Sequence, residues 1–337
     1  MNFIPSAHQA AGHDGCLTAG PVFAKLTLTQ EIAFYAEATR RLSVAPDLLG
    51  SLLAHWMPTY MGTMKEGIGL VEGAFVLNPD SVSLDGTNVS TSFTSDEKLY
   101  LVLLNLYHGF SHPCILDIKL GSVLTDDTVT PEKKARLAAV SQATTSGSLA
   151  FRICGMKIFH MTPLNGPLLF PNMQETMLAE PAGKSGTYTS FDKIFGRSLT
   201  EENVGKALEL FFQSLRQKKM LLTRFHQRLQ LLYNCLLDTE VRIKSGSLLF
   251  IYEGDPARWT NIDETCYFET DPLVCDPLDA SDGESDSDSD ADTGEAPLSR
   301  LNIIDFAHAK FADGQGPDDN IIDGVENLIR IFGLLAA

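Results

Sequence analysis

No apolar run in this 337-residue chain approaches the ~18 residues that a bilayer-spanning helix requires, so no membrane span is expected. Cysteine is sparse and scattered: Cys16, Cys114, Cys154, Cys235, Cys266 and Cys275 include no C-x-x-C pair. That spacing excludes a zinc ribbon and a dense disulfide framework, and free thiols in a reducing compartment are the expectation. The start, Met1-Asn2-Phe3-Ile4-Pro5-Ser6-Ala7-His8, lacks the basic residues and apolar core of a secretory signal. The expected location is therefore cytosolic or nuclear. No internal repeat is found. Basic residues are in deficit, 26 Lys+Arg against 43 Asp+Glu, for a net charge of −17. Such a balance argues against broad nucleic-acid or anionic-membrane contact. Nine of those acids lie between Asp276 and Glu295 with no base among them, so the rest of the chain carries only −8.

What is present is ordinary for a folded protein: 44% apolar and 20% charged residues, which excludes a collagen, a coiled-coil rod or a wholly disordered chain. The length suits two domains or one two-lobed unit. Val22 to Leu26, Leu99 to Leu104, Ile115 to Leu120, Ser247 to Tyr252 and Leu301 to Phe306 read as short apolar strands. Helices are expected over Thr29 to Leu42, from Thr130-Pro131-Glu132 onward, over Lys218 to Asp238, and at the C-terminus through Ile322, Val325, Leu328, Ile329 and Phe332. Ser198-Leu199-Thr200-Glu201 matches a capping box ahead of Val204, Ala207, Leu208 and Phe211. Residues 78–96 read as a loop and 276–295 as a solvated, disordered insertion. Beyond Pro131 helical periodicity dominates, which implies a strand-rich lobe followed by a larger helical one.

Four segments carry chemistry. In Pro113-Cys114-Ile115-Leu116-Asp117-Ile118-Lys119-Leu120-Gly121, Asp117 and Lys119 are two apart on a strand and share one face of an apolar run. They make either a structural ion pair or the acid and lysine of phosphoryl transfer, where one positions or deprotonates a hydroxyl and the other neutralises the moving phosphoryl group. In Leu301 to His308 a lone acid, Asp305, closes an apolar strand, a place suited to a turn cap or to a Mg²⁺ ion on nucleotide phosphates. Ser245-Gly246-Ser247 precedes another strand and makes either a turn or a phosphate and metal neighbour. Between Pro131 and Phe159, Lys133 and Arg136 share a helix face while Lys134 turns away. In a net-acidic chain such a cluster is a solvated face or the seat of an anionic substrate.

Taken in order, these blocks resemble the inositol polyphosphate kinase family. The P-x-x-x-D-x-K-x-G signature is met by Pro113, Asp117, Lys119 and Gly121. A T-S-x-x-L-x-F-R-I-C-G-M element runs from Thr145 to Met156, an S-L-L strand begins at Ser247, and D-F-A-H spans Asp305 to His308. Arg152 to Lys157, the Tyr252-Glu253-Gly254-Asp255-Pro256 turn and the acidic insertion before D-F-A-H resemble the fungal multikinases of that family.

The resemblance implies an α+β, two-lobed fold distantly similar to protein kinases, with residues 1–106 as the N-terminal lobe and 107–337 as the C-terminal lobe. ATP and Mg²⁺ are the implied cofactors, with ATP in the inter-lobe cleft. Lys25 is implied to hold ATP phosphates, Leu103, Leu104 and Leu106 to form the hinge that grips adenine, and Asp117 to orient ribose and the accepting hydroxyl. Lys119 would stabilise the transferring phosphate and contact substrate, while Asp305 and Ser247 would hold the metal, Asp305 also meeting ATP. Lys133, Lys134 and Arg136, on an inositol-binding helix at about 124–145, and His308 are the implied substrate contacts. The implied reaction phosphorylates inositol 1,4,5-trisphosphate at the 6- and 3-hydroxyls. A hexakisphosphate kinase is the alternative because it shares D-F-A-H; a dedicated 3-kinase would carry D-F-G-K-T. The acidic tract leaves room for a further role, as a contact for transcription factors in a protein of nucleus and cytoplasm. Ser281, Ser285, Ser287 and Ser289, each with an acid three residues on, are expected acidophilic phosphorylation sites. Three departures from the family pattern stand out: Leu104 for Glu, Gly246 for Ser, and Ala150 for Gly. Ala138 and Ala139 also replace bases found in some fungal relatives.

Overall fold

The computed structural model describes residues 3–6, 15–44, 48–65, 99–126, 129–183, 186–260, 262 and 297–337. The loop expected at 78–96 and the acidic tract 276–295 lie outside them. The chain begins with β1 (Ile4–Pro5), β2 (Leu17–Ala19), β3 (Val22–Leu26), α1 (Thr29–Val44), α2 (Leu53–Trp56), β4 (Tyr60–Lys65) and β5 (Leu99–Leu104). These strands form one antiparallel sheet in the order β1-β2-β3-β5-β4. Next come β6 (Pro113–Leu120), α3 (Pro131–Gln142), α4 (Thr145–Leu149), β7 (Phe151–His160), α5 (Gly166–Leu169), β8 (Met177–Ala182), β9 (Gly186–Phe191), α6 (Lys193–Ser198), α7 (Val204–Phe211) and α8 (Lys218–Asp238). The chain closes with β10 (Val241–Ile243), β11 (Ser247–Glu253), β12 (Ser299–Ile304), β13 (Ala309–Phe311) and α9 (Asp319–Ala336).

The second lobe is built on a six-stranded antiparallel sheet, β12-β11-β6-β7-β9-β8, and is not the mainly helical body that periodicity implies. Phe151–His160 is the strand that periodicity hid. Its positions are buried on both faces, so the period-two alternation that betrays a half-exposed strand is missing. Two helices cover one face. The α8 stripe of Leu221, Phe225, Leu229, Leu232 and Leu236 is buried, as are Val325, Leu328 and Phe332 of α9. Phe250 of β11 stacks on Phe332 at 5.4 Å and meets Phe225 edge-on at 5.3 Å, tying both helices to the sheet. Each such buried aromatic contributes roughly 1.5–3 kcal/mol by removal from water.

Local signals resolve in three places. The helix expected at about 124–145 spans Pro131–Gln142, where Thr130 Oγ1 accepts from Lys133 N at 3.3 Å, and α4 follows it. Ser198 does not cap α7. Its hydroxyl donates back to Ile194 O at 2.9 Å within α6, while Asn203 Oδ1 accepts from Thr200 N at 2.7 Å and α7 starts at Val204. The strand expected at 301–306 ends at Ile304, because Asp305 sits at φ +67° and leaves the ladder. Among the described residues, Cys16, Cys114, Cys154 and Cys235 are free thiols.

Candidate active site

The two faces of β6 and β11 have different fates, and this division builds the site. Cys114, Leu116, Ile118 and Leu120, with Leu248, Phe250 and Tyr252, enter the main core. On the opposite face Ile115, Leu249 and Ile251 join Leu106 in a small separate apolar cluster, flanked by Tyr107, Phe110 and Ile304. The same face then turns polar. Asp117 lies opposite Leu249, and Lys119 lies opposite Ser247, which in turn faces Ile304 of β12. Lys119, Ser247 and Ile304 thus form one rung of the sheet, with Asp305 at its end.

Asp117 is 5% exposed, and its Oδ1 has no hydrogen-bond partner among the described residues. Burial and the nearby Asp305 charge push its carboxyl up to about 7, against the opposing pull of Lys119, the Ser247 hydroxyl and Arg152. Lys119 does not close on Asp117; its Nζ donates to Ser245 O at 2.8 Å. The two therefore do not form a direct ion pair. Ser245 supplies that carbonyl from a left-handed conformation, φ +62°, and its own hydroxyl donates to Leu124 O at 2.9 Å. Gly246 is required by packing: a Cβ there would lie 2.6 Å from Ile243 Cγ2, so a serine side chain at that position would force Ile243 aside.

The N-terminal lobe delivers Lys25 from β3. Its Nζ bonds both Glu31 Oε1 at 2.9 Å and Asp305 Oδ1 at 2.8 Å, linking the lobes. Burial opposes the lysine charge, but the Asp305 and Glu31 carboxylates outweigh it and raise the ammonium above its ordinary value. Glu31, 1% exposed at the start of α1, also accepts from the Thr27 hydroxyl and from Phe306 N at 2.9 Å. Behind it, Phe34 stacks on Phe306 at 4.9 Å and on Phe311 at 4.8 Å, fixing α1 to β13 and to the turn that carries Asp305.

These groups open on a groove of about 740 Å³ lined by Lys25, Glu31, Lys119, Lys244, Ser245, Asp305 and His308, with Leu26, Leu28 and Leu99 on its apolar wall. His308 Nδ1 is held by Asp126 Oδ2 at 2.8 Å. The segment carrying Asp126 is pinned by Asn320 Oδ1, which accepts from Ser122 N at 3.0 Å and Val123 N at 2.8 Å. Gly121 turns the chain into that segment at φ +91°, where a Cβ would overlap the Asn320 side chain at 2.3 Å.

Of the residues expected from sequence, Lys25, Lys119, Asp305 and His308 meet in the groove, and Asp117 and Ser247 lie in the sheet beside it. Lys133, Lys134 and Arg136 do not line it; they are exposed on α3, a helix whose only buried residue is Ser141. Leu103, Leu104 and Leu106, expected to form a hinge, do not line this groove. Leu104 is held from behind, its N–H donating to Thr59 O at 2.9 Å, and the Leu106 N–H donates to no backbone carbonyl among the described residues. Sequence reasoning missed Glu31, Lys244 and Asp126. Glu31 read as a helix start, Lys244 sits one residue before the Ser245-Gly246-Ser247 segment, and Asp126 lies five residues beyond Gly121, where no motif marks it.

No group of three or more His, Cys, Asp or Glu able to hold an ion occurs among the described residues. The donor set near the groove is carboxylate oxygen, with Asp305 close enough to perturb Asp117 and with Asp117 Oδ1 lacking a partner among the described residues. One or two carboxylates of this kind fit a hard divalent ion that takes its remaining ligands from water and nucleotide phosphates. The Ser247 hydroxyl is already committed to Asp117.

With this geometry established, the chain was compared with known proteins. The family model for inositol polyphosphate kinases matches residues 100–333. The inositol polyphosphate multikinase of Saccharomyces cerevisiae is 40% identical over 98% of both chains. That of Schizosaccharomyces pombe is 28% identical over 97% of this chain and 96% of its own. Mouse inositol hexakisphosphate kinase 1 is 29% identical over 78% of this chain but only 59% of its own. Among solved structures, the S. cerevisiae inositol phosphate multikinase in complex with ADP and Mn²⁺ is 37% identical, covers 94% of this chain and 100% of its own, and superposes with a TM-score of 0.66.

Proposed function

Because the chain belongs to the inositol polyphosphate kinase family, we propose that it moves the γ-phosphoryl group of ATP onto ring hydroxyls of inositol 1,4,5-trisphosphate, at positions 6 and 3. The observation that carries this reading is the convergence of Asp117, Lys119, Lys25 and Asp305 from both lobes around a single groove. The buried acid on the central strand accepts the proton of the attacking hydroxyl as the new O–P bond forms. With its carboxyl pushed up to about 7, it is a competent base near neutral pH. Lys119 and Lys25 neutralise charge on the phosphoryl oxygens, each contact to phosphate being worth roughly 1.5–3 kcal/mol. Asp305 would hold the divalent ion, which when bound would supply further charge neutralisation. The rest of catalysis is positioning: Glu31 and Asp305 fix Lys25, and the Ser245 carbonyl fixes Lys119.

Purified protein, Mg-ATP and inositol trisphosphate, with chromatographic identification of product isomers, test the proposal. Tetrakis- and pentakisphosphates phosphorylated at positions 6 and 3 are expected. A chain that phosphorylates only hexakisphosphate would instead be a pyrophosphate-forming kinase, and one inert with both acceptors would refute kinase activity on inositol phosphates. For the acidic tract, we propose that residues 276–295 meet a basic regulatory partner in the nucleus, the protein being shared between nucleus and cytoplasm. Loss of gene regulation on deleting 276–295, but not on Asp117→Ala, is the expected result in cells.

A further inference from the structure

The groove holds three lysines and two carboxylates, and the lysines do different jobs. Lys25 is engaged by Glu31 and Asp305, and Lys119 by the Ser245 carbonyl. Lys244 is the groove lysine whose ammonium has no hydrogen-bonded acceptor among the described residues; its nearest acid, Asp318 Oδ1, is 3.9 Å away. That carboxylate is itself occupied, since Asp318 Oδ2 accepts from Ile243 N at 2.8 Å. The backbone of Lys244 is fixed, because its N–H donates to His308 O at 3.1 Å. The next residue, Ser245, holds the turn that also receives Lys119. A lysine with an anchored backbone, a side chain 19% exposed and an ammonium without a bonded acceptor is arranged to meet an anion entering the groove.

We infer that Lys244 is a specificity residue for the acceptor: it binds a phosphate already on the inositol ring, not the one being transferred. The inference rests on the kinase reading above. Charge supports it twice. The three lysines that line the groove outnumber its two lining carboxylates, and Lys244 is the most loosely held of them, its acid lying behind the groove at 3.9 Å. The exposed bases of α3, the other cations expected for substrate, do not line the groove. An acceptor carrying several phosphates therefore meets Lys244 beside His308, while Lys25 and Lys119 attend to the nucleotide and the reacting phosphoryl group.

The test compares Lys244→Met and Lys244→Arg with a charge control, Lys206→Met, which removes an exposed lysine of α7 outside the groove. Steady-state kinetics are measured with inositol 1,4,5-trisphosphate and, separately, with varied Mg-ATP, alongside thermal midpoints. Lys244→Met is expected to raise KM for the trisphosphate about tenfold, the scale of one charged phosphate contact. It should leave KM for ATP and the midpoint unchanged. Lys244→Arg should restore most of the loss, and Lys206→Met should behave as wild type. If Lys244 only braces Asp318, Lys244→Met lowers the midpoint and leaves the trisphosphate KM alone, and the inference is overturned while the kinase reading stands. If the wild type itself does not phosphorylate the trisphosphate, both fall together.

Discussion

At the scale of single residues, the chemistry was most legible where a charge interrupts an apolar strand. Lys25, Asp117, Lys119 and Asp305 all stand out in this way, since burying an ion in a sheet is expensive without a task for it. Of the two readings open for Asp117 and Lys119, the structural ion pair is the one that does not form, because the neighbouring turn offers Lys119 the Ser245 carbonyl instead. Asp117→Asn should lower kcat by about 10²–10⁴ with little change in KM for ATP, the span expected for a general base. Wild-type kcat/KM should climb to a plateau above pH 7. The same shift carries a stability consequence. Folded Asp117 keeps its proton up to about pH 7, whereas its unperturbed value is 3.8. Between these limits the folded state binds more protons, so stability falls as pH rises, and the penalty is complete above the upper value. Asp117→Asn should therefore gain on wild type from pH 4 to pH 7, by roughly 3–4 kcal/mol at most. A pH-independent difference in denaturation midpoints would refute this. A second residue was legible as an oddity alone: Ala150 departs from the glycine expected in the family pattern, and the structure holds it at φ +53° at the end of α4. Relief of left-handed strain in Ala150→Gly outweighs the added chain entropy, and thermal unfolding should show a gain of about 0.5–1 kcal/mol.

At the scale of elements, regular helix stripes and uninterrupted apolar runs were readable, even where, as in Ser247–Glu253, every strand position is buried. Helix α8 matches its expected ends, Lys218 and Asp238, because its stripe is regular and its other side is wet. Strand β7 escaped because Arg152 and Lys157, both buried, interrupt its apolar run, so neither a continuous strand nor a period-two alternation shows in the sequence. The capping-box reading of Ser198 failed for another reason, since a serine also finds an acceptor in the turn behind it. Helix α6 shows how closely elements approach: a Cβ on Gly196 would lie 1.9 Å from Ile153 O of β7. The obstacle is backbone and cannot rotate away. Gly196→Ala should cost about 2 kcal/mol or more, read from the urea midpoint. Lost activity should track the lost folded fraction, not a changed KM.

At the scale of the molecule, the net charge of −17 acts at a distance where the groove acts by contact. Removing residues 276–295 leaves −8 and relieves long-range repulsion of an anionic substrate. KM for inositol trisphosphate should fall severalfold in the deletion at ~10 mM salt and converge with wild type near 0.5 M, as the Debye length shrinks; kcat should not move. An unchanged low-salt KM would show that the tract is electrostatically silent. The two-lobed plan and its order of motifs were legible from the chain. The joining of the lobes through Lys25, Glu31 and Asp305 was not, for it links residues 280 positions apart. The pairing of β11 with β12 has one last consequence. Six registered residue pairs, Ser247↔Ile304 through Tyr252↔Ser299, clamp the two ends of everything between them. Closing a longer connection costs little, about 0.6 kcal/mol per doubling of its length. Trp259 anchors the near end in the core, so selection can lengthen, shorten or rewrite the sequence between Ile262 and Leu298 without disturbing the reacting groups, a splice point in an otherwise fixed enzyme.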